Sequence, residues 1–300
     1  MPEKRPPARA FGAHTSIAGG VSTAVKRAGD IGAEALQIFT RNQVRWASPP
    51  LSEEETVAFR SAYEASNLRF LCAHASYLIN LASPSKRLRA KSLGALIDEV
   101  RRADTLGCGC LVMHPGSPKY ESTRRGLARI ASALGEALEH TRECRVGIAL
   151  ENTAGQGSNI GGHLWHLSEL IGQAGDSPRL GLCLDTCHAW AAGWDLRHPH
   201  IVRELADSVR RGNGGDRLWL LHMNDSVAAV GSHRDRHAAI GEGEIGLAGF
   251  RNILHEPLLS EIPAILETPK ENDPAAADRK NLAVLRDLQS HPPSATTECD

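Results

Sequence analysis

The chain has 300 residues, 41% of them apolar and 23% charged, with a formal net charge of −1. This is the composition of an ordinary globular protein, and the balanced charge excludes a globally basic nucleic-acid-binding surface, although a local site can carry its own positive charge. No apolar run is long enough to span a bilayer, and residues 1–10 are polar and Pro-rich with no hydrophobic signal segment, so a cytoplasmic location is expected.

Taken in chain order, short apolar runs alternate with amphipathic stretches. The run Phe11–Ala13 precedes Val21, Ala24, Val25 and Ala28, which fall at helical spacing. Ala35–Phe39 precedes a capping-box pair, Ser52 and Glu55, placed ahead of Val57 and Phe59. Phe70–Ala73 leads to Leu93, Leu96, Ile97 and Val100, a helix that Gly107 is placed to stop. Leu111–Met113 leads to Leu127, Ile130, Ala131 and Leu134. Val146–Leu150 and Leu182–Leu184 follow, then a helix on Ile201, Val202, Leu205 and Val209, then Leu218–Leu221 and Ala264–Leu266. Each apolar run is too short for a helix, and most lack polar alternation, as strands buried on both faces do.

Eight such strands separated by helices imply a parallel sheet, and eight is the number that closes a barrel. The expected fold is α/β, a single (β/α)8 TIM barrel, which needs about 250 residues. Residues 10–289 would form it, with flexible tails at 1–9 and 290–300. An open doubly wound sheet is the rival, but Gly19-Gly20 is a poor phosphate loop. Aromatics are 4% of the chain, so Val, Leu, Ile and Ala should make the core. The seven cysteines include no CxxC pair and are expected to be reduced, mostly buried thiols.

The residue that closes seven of the eight runs, all but the second, carries the functional signal. These residues are His14, His74, His114, Glu151, Asp185, His222 and Glu267. In a barrel they share the C-terminal rim, where active sites are built. Unpaired, such groups would be costly to desolvate, and a metal ion removes that cost. His188 lies three residues past Asp185, and Asp235 and His237 lie two apart, close enough to reach one ion from an extended segment. Nine side chains are then candidate ligands: His74, His114, Glu151, Asp185, His188, His222, Asp235, His237 and Glu267. At roughly three to four protein ligands per ion, they suggest two or three metals with a bridging carboxylate. Their N and O chemistry, without Cys, favours an open catalytic site and Zn²⁺, with Mn²⁺ or Fe²⁺ admissible in part. Three divalent ions would outweigh four carboxylates and a hydroxide, leaving a positive pocket suited to a phosphodiester.

These segments match a known family. The chain resembles the endonuclease IV family of zinc-dependent apurinic/apyrimidinic endonucleases from Phe11 to about Leu288, through GAHTSIAGG at Gly12, HASYLINLA at His74, HPGS at His114, ENTAGQGSN at Glu151, GLCLDTCHAWAAGWDLR at Gly181, LHMNDS at Leu221, DRHAAIGEGEIG at Asp235 and LET at Leu266. The resemblance implies three zinc ions: one on His74, His114 and Glu151, a second on Glu151, Asp185, His222 and Glu267, a third on His188, Asp235 and His237. His14 is not a ligand in that pattern and is expected to support the ligands or pack beside them. The implied reaction is hydrolysis of the phosphodiester 5′ to an abasic site, leaving a 3′-hydroxyl and a 5′-deoxyribose phosphate. Glu151 and Glu267 are the implied catalytic carboxylates, with Glu267 orienting the attacking hydroxide. Cleaning of blocked 3′ ends is implied as well.

The implied partner is double-stranded DNA, met by a monomer and with no membrane involved. Tyr77 and Leu78 match residues that probe the gap and kink the duplex. Arg41, Asn42 and Gln43, in the loop after the second strand, match a DNA-contacting segment. Val44 and Val227 depart from the pattern, standing where an arginine and a lysine are usual. A divalent-metal sugar isomerase or epimerase of the same barrel superfamily is the alternative, and the third ligand group weighs against it.

Overall fold

The structure, a computed structural model, describes residues 9–213, 217–270 and 273–292. Along the chain run β1 (Phe11–His14), α1 (Ser22–Asp30), β2 (Ala35–Phe39), α2 (Glu53–Glu64), β3 (Phe70–His74), α3 (Lys86–Leu106), β4 (Cys110–Met113), α4 (Thr123–His140) and β5 (Gly147–Glu151). Then come α5 (Leu164–Gln173), β6 (Leu180–Asp185), α6 (Thr186–Ala191), α7 (Pro199–Asn213), β7 (Leu218–His222), β8 (Asp225–Ser226), β9 (His237–Ala238), α8 (Gly246–His255), β10 (Ala264–Leu266) and α9 (Pro274–Ser290). Eight parallel strands close in the order β1-β10-β7-β6-β5-β4-β3-β2, while β8 and β9 form a separate antiparallel pair. The eight expected strands are all present, and the chain folds as a (β/α)8 barrel.

Local sequence sets the element ends. Ser52 and Glu55 form the expected capping box at α2, each satisfying the other's backbone N–H. Gly107 closes α3 at φ 82°, a left-handed conformation that glycine adopts without steric cost. On α1, Ala24, Val25 and Ala28 turn to the barrel; on α4, Leu127, Ile130, Ala131 and Leu134 do the same. Burial of such side chains supplies about 1.5–3 kcal/mol for each large one.

Two apolar groups make the core. The larger lies between strands and helices, and includes Leu36, Leu71, Leu111, Ile148, Leu182, Leu221 and Leu266. The smaller contains Ala35, Cys72, Cys110, Val112, Ala149, Cys183, Leu220 and Ile265. Alternation along a strand separates the two sets, so the smaller one faces the barrel axis. It also decides what comes next on that inner face. Two residues beyond Ala35, Cys72, Val112, Ala149, Cys183, Leu220 and Ile265 stand Gln37, His74, His114, Glu151, Asp185, His222 and Glu267. The rim residues are therefore the top layer of the barrel's own interior.

Two tail boundaries need correction. Arg9, assigned to the N-terminal tail, is buried against the barrel, with its guanidinium donating to the carbonyls of Leu259 and, at 3.2 Å, Ser260. Burial lowers its pKa to about 10. Ser290, assigned to the C-terminal tail, is the last residue of α9. The rest of both expected tails, apart from His291 and Pro292, lies outside the described residues. The six cysteines among the described residues are free and buried. No helix among the described residues is long and apolar enough to cross a membrane.

Candidate metal centre

Glu151 lies at the middle of the rim, fully buried at the end of β5. Its Oε2 is 3.2 Å from His74 Nε2 and 2.9 Å from His114 Nε2. Its Oε1 is 2.9 Å from His222 Nδ1 and 3.4 Å from His188 Nδ1. One carboxylate therefore faces two ligand groups. Around it, His74, His114 and Glu151 bring one ligand atom each within 4.8 Å of one another, and so do Glu151, Asp185, His222 and Glu267.

Asp185 links the second group to the third. It caps the short helix α6: its Oδ1 accepts the backbone N–H of His188 at 2.7 Å. That contact is the structural reason for the Asp-x-x-His spacing, because an N-cap side chain reaches the N–H three residues on. Asp185, His188 and His237 then form a third group. Asp235 lies 3.2 Å from His188 Nε2 and 3.3 Å from His237 Nε2. The β8–β9 pair, with Ser226 opposite His237, holds this segment over the rim.

The far side of each ring is tied down. His74 Nδ1 donates to the Ala75 carbonyl at 2.8 Å, His188 Nδ1 to Asn152 at 2.9 Å and His237 Nδ1 to Glu267 at 3.1 Å. A carbonyl only accepts, so these Nδ1 atoms carry the proton and the Nε2 lone pairs face the centre. His222 is turned the other way. Its Nε2 is bound to Gln37 Oε1 at 2.9 Å, which leaves Nδ1 facing the carboxylates.

Electrostatics agree with a cation-seeking site. Burial opposes protonation of His74 and His188, yet the carboxylates Glu151 and Glu267 raise His74, and Asp185, Asp235 and Glu151 hold His188 well above the ordinary imidazole range. Burial also opposes protonation of His237, but Asp235 and Asp185 raise it to about 9. Burial would raise Glu151 too, and His114 and His222 pull it well below the usual carboxylate range instead. Protons on the histidines thus balance the carboxylates, and metal ions would replace those protons. The buried His237 Nε2 has no hydrogen-bond partner, although Asp235 Oδ1 approaches to 3.3 Å. An orphaned imidazole nitrogen facing carboxylate oxygens fits a divalent metal. The thiols of Cys183 and Cys187 also come within reach of ligand atoms, but burial pushes Cys187 up to about 12 and Cys183 higher still. Imidazole nitrogens with carboxylate oxygens are a donor set found in open, catalytic zinc sites.

Known proteins share this barrel. A family model of xylose isomerase-like TIM barrels matches residues 25–288. A Chloroflexus aurantiacus protein named probable endonuclease 4 is 42% identical over 278 residues, covering 93% of this chain and 97% of that protein. A Campylobacter concisus protein of the same name is 45% identical over 284 residues, covering 94% and 98%. The crystal structure of endonuclease IV from Thermus thermophilus matches with a TM-score of 0.82 at 35% identity, covering 94% of this chain and 99% of that one. The chain belongs to the endonuclease IV family.

Within this endonuclease IV barrel, the side chains expected at DNA lie on two rim loops. Tyr77 is 61% exposed above the first ligand group, its ring 5.5 Å from that of His74 and 5.6 Å from that of Phe39. Leu78 is half-buried beside it. Asn42 is exposed and folds its Oδ1 onto the Val44 N–H at 3.0 Å, and Gln43 is half-buried. Val44 and Val227, the two departures, are exposed. Arg41 is the exception. It is buried, and its Nη2 pairs with Glu99 at 2.7 Å, so in this structure it holds its own loop instead of facing a duplex.

Four residues that strand-end reasoning missed support the candidate ligands. Gln37 donates through Nε2 to Glu267 Oε1 at 2.7 Å and contacts His14 Nδ1 at 3.0 Å. His14 itself lies 3.3 Å from Glu267, in the supporting place expected of it. Asn224 donates to Asp185 Oδ2 at 2.6 Å and accepts the Glu267 N–H at 2.8 Å, joining three strands. Asn152 exchanges hydrogen bonds with both backbone groups of Asp185. Asp225 holds the loop that follows β9. Gln37 had a visible signal: it is the lone polar residue inside an apolar strand.

Proposed function

We propose that this chain is a metal-dependent AP endonuclease that hydrolyses the phosphodiester 5′ to abasic sites in duplex DNA, leaving 3′-hydroxyl and 5′-deoxyribose phosphate ends, and that also cleans blocked 3′ ends in base excision repair. The observation that carries this reading is the run of three ligand groups joined through two buried carboxylates, Glu151 and Asp185. His74, His114 and Glu151 would hold one zinc ion, Glu151, Asp185, His222 and Glu267 a second, and His188, Asp235 and His237 a third. Zinc bound there would lower the pKa of water and neutralise charge on the phosphate.

The chain's own residues supply the rest. Gln37 Nε2 and His14 hold Glu267 Oε1, which leaves Glu267 Oε2 toward the centre, 3.3 Å from His222 Nδ1. Glu267 is thereby placed to accept a proton from, and orient, an attacking water. Tyr77 and Leu78 stand at the mouth, where an apolar pair can fill the gap left by a missing base. Asn42 and Gln43 would track the phosphate backbone. The protein would work as a monomer in the cytoplasm, on DNA and apart from any membrane.

A duplex carrying one tetrahydrofuran abasic analogue tests the reading. Metal-dependent incision on the 5′ side, suppressed by a chelator and restored by zinc, is the expected outcome. No incision in the metal-loaded protein, together with turnover of a ketose sugar, would replace this function with that of an epimerase.

A further inference from the structure

Two irregular loops carry the side chains that the proposed function sends into DNA. One, residues 40–52, joins β2 to α2; the other, residues 75–85, joins β3 to α3. Both are fastened to one buried ion pair. Arg41 Nε and Nη2 donate to Glu99 Oε1 at 3.0 and 2.7 Å, and Arg41 Nη1 donates to the Trp46 carbonyl at 2.6 Å. Glu99, on α3, also accepts the Ser76 N–H, at 3.2 Å on one oxygen and 3.1 Å on the other. Ser76 closes the circuit. Its Oγ donates to the Gln43 carbonyl at 2.5 Å and accepts the Leu78 N–H at 3.2 Å.

We propose that the Arg41–Glu99 pair is a positioning device that sets the spacing between Asn42-Gln43 on one loop and Tyr77-Leu78 on the other before DNA arrives. The proposal rests on the nuclease reading above.

The physics favours position over stability as the reason for this pair. Both side chains are almost wholly buried, and a buried ion pair returns little net stability once both charges are desolvated. Burial raises the Glu99 pKa, and Arg41 and the Ser76 N–H only partly offset it. What the pair supplies is direction, because a guanidinium fork and a carboxylate fix angles as well as distances. The rest of α3 reinforces the first loop. Lys91 lies 4.4 Å from the centre of the Trp46 ring, and Arg102 donates to the carbonyls of Ser48, at 3.0 Å, and Pro49. Loops held in their working arrangement lose less conformational freedom on binding, which raises affinity without a new contact.

The test uses Glu99→Gln and the double variant Arg41→Met/Glu99→Met, which leaves no lone buried charge if the single change hinders folding. Both should keep the wild-type metal content. The KM for the tetrahydrofuran duplex should rise about tenfold while kcat changes less than about twofold. Tyr77→Ala should also raise KM, but should add little to Glu99→Gln, because a misplaced Tyr77 has already lost its contact. Hydrogen exchange should quicken together in residues 42–46 and 76–80. An unchanged KM, full additivity with Tyr77→Ala, or faster exchange in one loop only would overturn the proposal. Exchange reads the pair without substrate, so a wild-type protein that does not incise would sink the nuclease reading and leave the loop result standing.

Discussion

Gln37 Oε1 accepts a hydrogen bond from His222 Nε2 at 2.9 Å inside the barrel. That contact sets the ring of the one candidate ligand histidine that turns Nδ1, and not Nε2, toward the centre. The same amide donates to Glu267, so one neutral side chain orients two members of the central ligand group. Partners of this kind typically contribute a factor of about 10–100 in metal affinity. Gln37→Leu, similar in size and without the amide, should therefore weaken zinc at the His222–Glu267 group by about that factor. Competition with a chelator of known affinity measures it. Wild-type affinity in Gln37→Leu would mean that packing alone orients His222.

Glu267→Gln separates binding from chemistry. The change keeps the shape but removes the charge and one acceptor oxygen from a group held on its other oxygen by Gln37 and His14. Incision should fall by about 10²–10³ in kcat, the usual loss when one well-placed group of the transition state goes. Binding of abasic duplex, followed by fluorescence anisotropy, should persist. Full activity would remove Glu267 from the mechanism.

How much of this was legible beforehand depends on period. Strand-end positions exposed six of the nine ligand candidates because a parallel barrel strand points its last inward residue into the rim, and His, Asp and Glu are conspicuous there; His188, Asp235 and His237 came from spacing in the loops that follow. Gln37 escaped because it is uncharged and lies inside β2, two residues before the end. The Asp185–His188 spacing was visible, but the cap that causes it was not, since α6 has only six residues. The pairing of Arg41 escaped for another reason. Sequence position puts it in the loop after β2, but its partner Glu99 lies 58 residues further on, and no local pattern announces a pair at that separation.

The metal-free protein should titrate where the metal-loaded one does not. His237 is raised to about 9 by Asp235 and Asp185 against the cost of burial. Its folded value therefore lies above the unfolded value of about 6.5. The stability it contributes to the metal-free protein is fully present below pH 6.5 and is lost as pH rises through about 9. Metal binding to the third group must displace that proton. Calorimetry in buffers of different ionisation heat should show proton release on zinc binding across pH 6.5–9, and His237→Ala should release less. Equal release from both proteins would show that other groups carry those protons.

Asp225 should prove as important to the third group as a ligand, without touching an ion. Its buried carboxylate accepts five backbone N–H bonds: Ser226 at 2.8 Å and Ile245 at 2.9 Å on Oδ1, with Gly241 at 2.9 Å, Gly243 at 3.0 Å and Gly246 at 3.3 Å on Oδ2. Gly243 comes so close that an added Cβ would lie 2.5 Å from the Ser226 carbonyl oxygen and 2.6 Å from Asp225 Oδ1. The loop is thus wrapped around the carboxylate, and Asp225 is also paired with Ala238, next to His237. Asp225→Ala would strand those donors, at a cost of about 3 kcal/mol or more. Denaturant unfolding should record that loss. The metal-to-protein ratio should fall at the His188–Asp235–His237 group first, because the segment carrying two of its ligands loses its support. Asp225→Asn, which keeps one acceptor oxygen, should lie between the two. An Asp225→Ala protein with wild-type stability and full metal content would show that the β8–β9 pair holds this segment unaided.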